Sequence, residues 1–294
     1  MIEYIRISIF EISKVSTAKD NLIDVINNKA EDKKIPLAEY FNLIGSYKRG
    51  TKITPLDDVD IFYVIGKAKK TSDNWHSITK CSFNFDGNFM DENNNVSSVK
   101  VLNLIKQEIY ETYSSSQVKR NQEVVNVYLS SYEVGFDIVP VWEIENEEYY
   151  LMPVGGGKSR WKRTNPFKDE CIINDLNKKH NELLKEIIKI MKYWFKKKRI
   201  KSPRSYHLEA IIYYIFTDIN PIYNYTQGLL VSFSNLLTRK DLLKYCSDPT
   251  GQSEALSSGL TNDDINSILF EARIALMKLE NGEEEFINYV EPNL

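Results

Sequence analysis

The chain has 294 residues, of which 42% are hydrophobic and 27% charged, and its formal net charge of −3 lacks the basic excess that drives sequence-independent binding to nucleic acid. Its three cysteines, Cys81, Cys171 and Cys246, and its three histidines have neither the spacing of a zinc site nor that of a disulfide framework. Because no stretch has the pattern of a signal peptide or the roughly 18 to 20 apolar residues of a membrane span, we expect a reduced, cytoplasmic protein without a membrane partner.

The first half of the chain is predicted to mix helices and strands. Apolar periodicity predicts a helix over 17–30 and a short second helix over 36–41. A strand is predicted over 58–65, and its period of two sends Asp58 and Asp60 to the same face. Further predicted elements are a polar loop over 67–96, a helix over 99–113, two antiparallel strands over 123–129 and 133–141, and a short strand over 149–152.

From residue 166 onward the pattern becomes helical. One long helix is predicted over 166–198, with an apolar stripe along it. Other helices are predicted from residue 205, over 229–245, and over 263–279 behind a cap at 261–262. The order therefore indicates an α/β lobe followed by an all-α lobe, with the boundary near 155–165.

Three aspartates carry the chemical signal. Asp58, Asp60 and Asp137 lie in two neighbouring predicted strands, and carboxylates that converge in this way repel one another unless divalent cations neutralise them. Two Mg²⁺ or Mn²⁺ ions about 3.5 to 4 Å apart would clamp the attacking and leaving oxygens of a displacement at phosphorus. The turn at Gly45 and Ser46 offers backbone N–H groups and a hydroxyl that suit a triphosphate. Alternatively, Asp58 only starts the strand and Asp60 pairs with a nearby lysine or arginine.

These residues resemble the signature of the DNA polymerase β-like nucleotidyltransferase superfamily. Gly45 and Ser46 are followed after eleven residues by Asp-Val-Asp-Ile at 58–61, and later by Gly-Phe-Asp-Ile-Val-Pro at 135–140. More narrowly, the chain resembles the bacterial cGAS/DncV-like nucleotidyltransferases of cyclic-oligonucleotide antiphage signalling. The motifs that carry this likeness are Gly-Ser-Tyr-Lys-Arg-Gly-Thr at 45–51, Asp-Asp-Val-Asp-Ile at 57–61, Trp-x-x-Thr-Asn-Pro at 161–166, Ser-Tyr-His-Leu-Glu at 205–209 and Asp-Pro-Thr-Gly at 248–251.

The resemblance implies an α+β fold. A polymerase β-like nucleotidyltransferase core with a mixed sheet would cover 1–160, its N-terminal helix packing toward the second lobe. A C-terminal all-α lobe would cover 161–294, with the active site in the cleft between the two. The implied enzyme makes a cyclic di- or trinucleotide second messenger from nucleoside triphosphates, with release of pyrophosphate, in antiphage defence.

The resemblance also assigns roles in the first lobe. Asp58, Asp60 and Asp137 would bind two Mg²⁺ or Mn²⁺ ions, and Asp137 would help to deprotonate the attacking 3′-hydroxyl. Gly45 and Ser46 would hold the β and γ phosphates of the donor nucleotide.

Three residues of the second lobe would bind the nucleotide. Lys192 and Ser205 match residues that reach the triphosphate, and Tyr206 would stack on a base. Each has a structural alternative: Lys192 belongs to a lysine stripe typical of a solvated helix face, Ser205 suits a helix N-cap, and Tyr206 suits a core. We predict a structural role for the neighbouring His207.

Other functions stay open. Within the superfamily the alternatives are linear oligonucleotide synthesis, RNA tailing, or nucleotidylation of a protein or small molecule; outside it, a catalytically inactive nucleotide-binding module. The expected partners are nucleoside triphosphates and a downstream effector that binds the cyclic nucleotide. The basic cluster at 196–201 is either a solvated helix end or a nucleic-acid patch. With so modest a net charge, we do not expect nucleic acid as a constitutive activator.

Overall fold

The chain forms two compact units, seen here in a computed structural model. The sheet unit contains Ile7–Tyr47 and Pro55–Pro166, and the helical unit contains Lys48–Thr54, Phe167–Leu294 and Arg6. The short segment Lys48–Thr54 therefore leaves the sheet unit directly after the Gly-Ser turn. The structure describes residues 6–32, 35–36, 38–56, 58–68, 89–93, 95–113, 116–157, 159–252 and 256–292.

Within the described residues, the sheet unit is built on a sheet of seven strands. They are β1 (Tyr40–Ile44), β2 (Val59–Ala68), β3 (Gln117–Asn121), β4 (Val124–Leu129), β5 (Val134–Ile144), β6 (Tyr150–Pro153) and β7 (Trp161–Thr164). The helices of this part of the chain are α1 (Ile9–Glu31), α2 (Gly45–Lys48) and α3 (Ser98–Thr112).

The sheet is mixed, which confirms the predicted α+β class. Its strand order is β1-β2-β5-β4-β3, and β6 and β7 extend it from β5. β2 and β5 are parallel to each other, whereas the other pairs are antiparallel. β7 pairs with β6 up to Thr164, so the sheet continues past residue 160.

Strand β2 is buried on both faces. Val59, Ile61 and Tyr63 point into the large core shared with α1 and α3. Phe62 and Val64 belong to a smaller cluster on the opposite face, together with apolar side chains of β5. The predicted alternation along this strand is confirmed, and it places the aspartates on the face of the smaller cluster.

Two predictions for the N-terminal region need correction; a helix does cover 17–30, but it starts earlier than predicted. None of the described residues in the predicted helix over 36–41 is helical, and strand β1 (Tyr40–Ile44) pairs with β2 instead; a short apolar run does not distinguish a strand from a helix. Helix α1 starts at Ile9, well before residue 17, because Ser8 and Glu11 form a capping box ahead of it.

The other predictions for the sheet unit fare better. The helix over 99–113 and the antiparallel pairing of the next two strands are confirmed by α3, β4 and β5. Most of the predicted loop over 67–96 lies outside the described residues, as does Cys81. Cys171 and Cys246 are free thiols.

Among its described residues, the helical unit carries six further α-helices, one 3₁₀ helix and a short hairpin. They are α4 (Pro166–Lys179), α5 (Leu184–Lys198), α6 (Ser205–Phe216), α7 (Tyr225–Thr238), a 3₁₀ helix (Lys240–Leu243), β8 (Tyr245–Cys246) paired with β9 (Leu256–Ser257), α8 (Asn262–Asn281) and α9 (Glu283–Val290). In the described part of the chain, none of the helices is long and apolar enough to cross a lipid bilayer. The helix predicted from residue 205 and the capped helix over 263–279 are confirmed.

The long helix predicted over 166–198 is wrong, because the structure divides it into α4 and α5. Asn181 and Glu182 adopt left-handed φ angles of 55° and 60° at the break, a conformation that asparagine tolerates better than most residues. The side-chain oxygen of Asn177 accepts a hydrogen bond from the backbone N–H of Lys185 at 3.0 Å and so satisfies the first turn of α5. The predicted apolar stripe is buried along α5.

Candidate active site

Two of the predicted metal ligands lie side by side in the sheet. Asp60 of β2 and Asp137 of β5 are register partners on the parallel strand pair. Adjacent strands lie about 4.8 Å apart, so the side chains of register partners emerge next to each other. Asp58 immediately precedes β2 and is two residues ahead of Asp60, which gives it the same side of an extended chain.

Gly45 lies against the carboxylate of Asp60. Its neighbour Ile44 is the register partner of Asp60 on β1, and Gly45 itself has a φ of +71° as the chain turns into α2. A Cβ atom at this position would overlap the Asp60 carboxyl group. Only glycine therefore fits here without displacing Asp60, and Ser46 follows in the same turn.

Asn126 is a site residue that the sequence interpretation missed. It lies on β4 as the register partner of Asp137, and its Nδ2 donates a hydrogen bond of 2.8 Å to Asp137 Oδ1. This contact fixes the orientation of the carboxylate. The predicted antiparallel pairing of 123–129 with 133–141 is the signal that could have identified Asn126. Such pairing can place its amide opposite the carboxylate of Asp137.

The donor set in the sheet unit has the chemistry of a magnesium site. Carboxylate oxygens on adjacent strands are hard ligands, which Mg²⁺ and Mn²⁺ prefer, and Asp60 and Asp137 are already in register. Among the described residues, no three His, Cys, Asp or Glu side chains are grouped so that they could hold a metal ion as they stand. Metal binding by Asp58, Asp60 and Asp137 therefore remains a prediction.

Lys192 and Ser205 meet in a second cluster, inside the helical unit, around the carboxylate of Glu209. Lys192 Nζ donates to Glu209 Oε1 at 2.7 Å and to the Thr51 carbonyl at 3.1 Å. Arg49 Nε donates to Glu209 Oε2 at 2.7 Å. The hydroxyl groups of Thr51 and Ser205 contact Glu209 Oε1 at 2.9 Å and 3.4 Å.

The Glu209 cluster is nearly closed to solvent. The side chains of Arg49, Lys192 and Glu209 are only 8%, 11% and 5% exposed, so Lys192 is not part of a solvated stripe. Burial alone would raise the pKa of Glu209, but the positive charges of Arg49 and Lys192 hold it below its usual range. Burial lowers the pKa of Lys192, and the carboxylate of Glu209 opposes that change.

Tyr206 is held by two carboxylates. Its hydroxyl lies 2.6 Å from Asp169 Oδ1 and 2.8 Å from Asp248 Oδ1, and the guanidinium of Arg49 lies 5.6 Å from its ring centroid. Asp248 also accepts from the backbone N–H and the hydroxyl of Thr250, both at 2.9 Å. Burial raises the pKa of Asp169 to about 6, although Tyr206 and Arg49 oppose the change.

The contacts of Ser205 and His207 in α6 differ in kind. α6 begins at Ser205, whose N-cap neighbour is Arg204 and whose own hydroxyl contacts Glu209 Oε1 at 3.4 Å. His207 is buried and its Nε2 pairs with the Leu242 carbonyl at 2.8 Å, which confirms its structural role.

Sequence reasoning also missed Arg49, Glu209 and Asp169 as site residues. The first two lie inside the motifs at 45–51 and 205–209, but a motif alone does not say that its residues form an ion pair across 160 positions. Both motifs were therefore recognised without their mutual contact.

The fold is that of the DncV-like nucleotidyltransferases. Escherichia coli DncV with bound 3′-deoxy GTP superposes with a TM-score of 0.71 at 11% identity, covering 99% of this chain and 93% of that one. CdnC of Escherichia coli MS115-1 with ATP gives 0.70 at 15% identity, covering 98% and 92%. Vibrio cholerae DncV without ligand gives 0.65 at 12% identity, covering 86% and 68%.

Sequence comparison identifies the family. Residues 1–177 match the family model for the Second Messenger Oligonucleotide or Dinucleotide Synthetase domain, SMODS, and the chain belongs to this family. A curated relative from Bacillus cereus (strain VD146), described as a "Probable cyclic nucleotide synthase", is 32% identical over 180 residues. That alignment covers 57% of this chain and 53% of the relative, so the chain spans about half the length of the curated protein it matches.

Proposed function

We propose that this chain is a metal-dependent nucleotidyltransferase that joins nucleoside triphosphates into a cyclic di- or trinucleotide and releases pyrophosphate. One observation carries the proposal: Asp60 and Asp137 are in register on parallel strands, with Gly45 packed against Asp60. Membership of the SMODS family supports the same chemistry.

The reaction forms a bond between a 3′-oxygen and the α-phosphorus of a second nucleotide, and it breaks the bond from that phosphorus to pyrophosphate. Asp58, Asp60 and Asp137 would hold two Mg²⁺ or Mn²⁺ ions, which when bound neutralise negative charge on the phosphates. Asp137, oriented by Asn126, accepts the proton of the attacking hydroxyl.

The other residues bind the nucleotide. Gly45 and Ser46 hold the β and γ phosphates through backbone N–H groups and a hydroxyl. Lys192 and Ser205 contribute to the triphosphate, and the ring of Tyr206 stacks on a base. Asp169 and Asp248 fix the Tyr206 hydroxyl, which restricts the plane in which that ring can lie.

Ring closure repeats the same step within a linear intermediate. Vibrio cholerae DncV, a structural neighbour, is described as a cyclic AMP-GMP synthase in complex with a linear intermediate, 5′ pppA(3′,5′)pG. We propose the same order of steps for this chain. We further propose that a downstream effector binds the product and that the enzyme acts in antiphage defence.

Product analysis tests the proposal. The protein is incubated with the four nucleoside triphosphates and Mg²⁺ or Mn²⁺, then treated with phosphatase, and the products are identified by mass spectrometry. We expect a phosphatase-resistant cyclic product that Asp60→Asn and Asp137→Asn each abolish. A product that loses terminal phosphates would indicate linear synthesis, extension of added RNA would indicate tailing, and label retained on protein would indicate nucleotidylation; each outcome contradicts the cyclic assignment.

A further inference from the structure

We infer that Glu209 is a positioning residue for nucleotide binding, which holds Lys192 as a charged ammonium and ties it to Arg49 in one fixed cluster. The inference rests on the proposed function, because that function assigns Lys192 to the triphosphate. Glu209 itself is buried at the centre of the cluster and has no role among the residues assigned above.

The first support is the number of donors that converge on this carboxylate. Arg49 and Thr51 come from the segment Lys48–Thr54, Lys192 comes from α5, and Ser205 comes from α6. Lys192, Thr51 and Ser205 converge on Oε1, and Arg49 donates to Oε2, so both oxygens of Glu209 are engaged. One side chain therefore sets the relative placement of three separate pieces of the helical unit.

The second support is the charge balance. Arg49 and Lys192 are two cations around one carboxylate, and the positive charge of Lys52 also acts on Lys192. Without that carboxylate, burial and the two cations would lower the pKa of Lys192 further. Glu209 thus favours the charged ammonium, and Arg49, Lys192 and Glu209 together carry one net positive charge, which suits an anionic phosphate.

The third support is that no other carboxylate of the described residues is placed to replace Glu209 beside Lys192. Within the described part of the chain, Glu209 is the only acidic side chain within ion-pair distance of Lys192. The nearby Asp169 is engaged by Tyr206 and acts on Arg49. A purely structural ion pair would need only one of the two cations, whereas here both face the same carboxylate.

The pKa of Lys192 is the direct test, and it does not depend on turnover. Acetylation of Lys192 by acetic anhydride is measured by mass spectrometry as a function of pH in the intact protein. We expect Glu209→Gln to move the midpoint to lower pH by about 1 to 3 units, and Glu209→Asp to restore much of the shift. Glu186→Gln is the matched control, because Glu186 pairs with Lys189 at 2.7 Å on the same helix and should leave the midpoint in place.

A second variant has the opposite sign and covers the case in which Glu209→Gln does not fold. Arg49 lowers the pKa of Lys192 by repulsion, so Arg49→Gln should move the midpoint to higher pH. A midpoint that is unchanged in both Glu209→Gln and Arg49→Gln, or in the one of them that folds, would overturn the inference.

The pH dependence of nucleotide turnover links the Glu209 cluster to the reaction. The relevant part is the alkaline limb of the pH profile, where the rate falls as the pH rises. In Glu209→Gln we expect this limb to move to lower pH together with the labelling midpoint, which a merely structural role would not produce. A shifted midpoint with an unshifted limb would overturn the role of Lys192 in phosphate binding. A wild-type protein that turns over no nucleotide would refute the proposed function, while the labelling midpoint would still decide whether Glu209 holds Lys192.

Discussion

At the scale of single residues, Gly45 shows how a backbone conformation can control a carboxylate. Its φ of +71° and its contact with Asp60 both require glycine. Besides the phosphate binding that we propose for the Gly-Ser pair, Gly45 therefore leaves room for the Asp60 side chain.

We expect Gly45→Ala to reduce pyrophosphate release by about 100-fold or more, because a displacement of about 1 Å at a reacting group can have that effect. The unfolding free energy should fall by on the order of 1 to 2 kcal/mol, the cost of a left-handed alanine, as measured by urea unfolding. Gly156→Ala is the control, since Gly156 has a φ of +74° but no atom within 4 Å of its added Cβ. Equal losses of activity in the two variants would contradict the role of Gly45.

Asp169 gives a pH dependence of stability with a defined sign. Its pKa is raised from 3.8 to about 6 in the folded protein, so its contribution to stability is present below the ordinary pKa and is lost as the pH rises through about 6. Between pH 4 and 7 we expect the wild type to lose on the order of 1 kcal/mol of unfolding free energy relative to Asp169→Asn, measured by urea titration. Asp175→Asn, which changes an exposed aspartate of the same helix, is the control. A difference that is constant with pH would rule the effect out.

The residue scale also shows what sequence could and could not predict about the site. Asp60, Asp137 and Gly45 were singled out from their spacing, and the structure brings these three together. Glu209 and Arg49 were not singled out, because their contact joins distant parts of the chain. Burial and ion pairing of this kind arise from packing, which no local pattern encodes.

At the scale of elements, the basic end of α5 is solvent-exposed, and several of its lysines also pair with neighbouring helices: the side chains of Lys197 and Lys201 are 36% and 54% exposed. Lys197 pairs with Glu291 at 2.5 Å, Lys198 lies 3.7 Å from the ring centroid of Tyr289, and Lys201 pairs with Asp264 at 2.8 Å. The cluster at 196–201 thus anchors α8 and the C-terminal helix α9. Of the two alternatives considered from the sequence, the solvated helix end is the one that these exposures support.

Helix α9 should matter for stability through its apolar anchor. Phe286 is 3% exposed and its ring lies 5.8 Å from that of Phe233. We expect Phe286→Ala to lower the unfolding free energy by about 3 to 5 kcal/mol, measured by urea unfolding. Phe270→Ala on α8 is the control, because Phe270 is 60% exposed and a surface change costs less than about 0.5 kcal/mol. If the two variants were equally stable, α9 would not be anchored as described.

The predictions of helices and strands failed where the local sequence pattern and tertiary packing favour different conformations. The helix predicted over 36–41 overlaps the start of β1, where pairing with β2 decides the conformation. The break between α4 and α5 was missed because the helical periodicity continues on both sides of it. Long amphipathic elements such as α3 and α8 were predicted well, since their periodicity is strong and their ends are capped.

At the scale of the whole molecule, turnover should depend on a divalent cation although the fold does not. The aspartates belong to a sheet that packs against apolar side chains on both faces. Burial of these side chains stabilises the sheet, so it does not need an ion to form. We expect EDTA to abolish turnover, Mg²⁺ or Mn²⁺ to restore it, and the far-ultraviolet circular dichroism spectrum to stay the same throughout. Turnover that persists after complete chelation would refute the metal-dependent mechanism.

The placement of Lys48–Thr54 in the helical unit bears on how relatives of this chain can be recombined. A fragment that starts at Phe167 would contain nearly all of the helical unit. It would still lack Arg49 and Thr51, two of the four donors to Glu209. A chimera that exchanges only the C-terminal portion between two relatives would therefore separate Glu209 from its own partners. The helical unit is discontinuous in sequence, so its C-terminal helices and the seven-residue segment after Tyr47 have to be exchanged together.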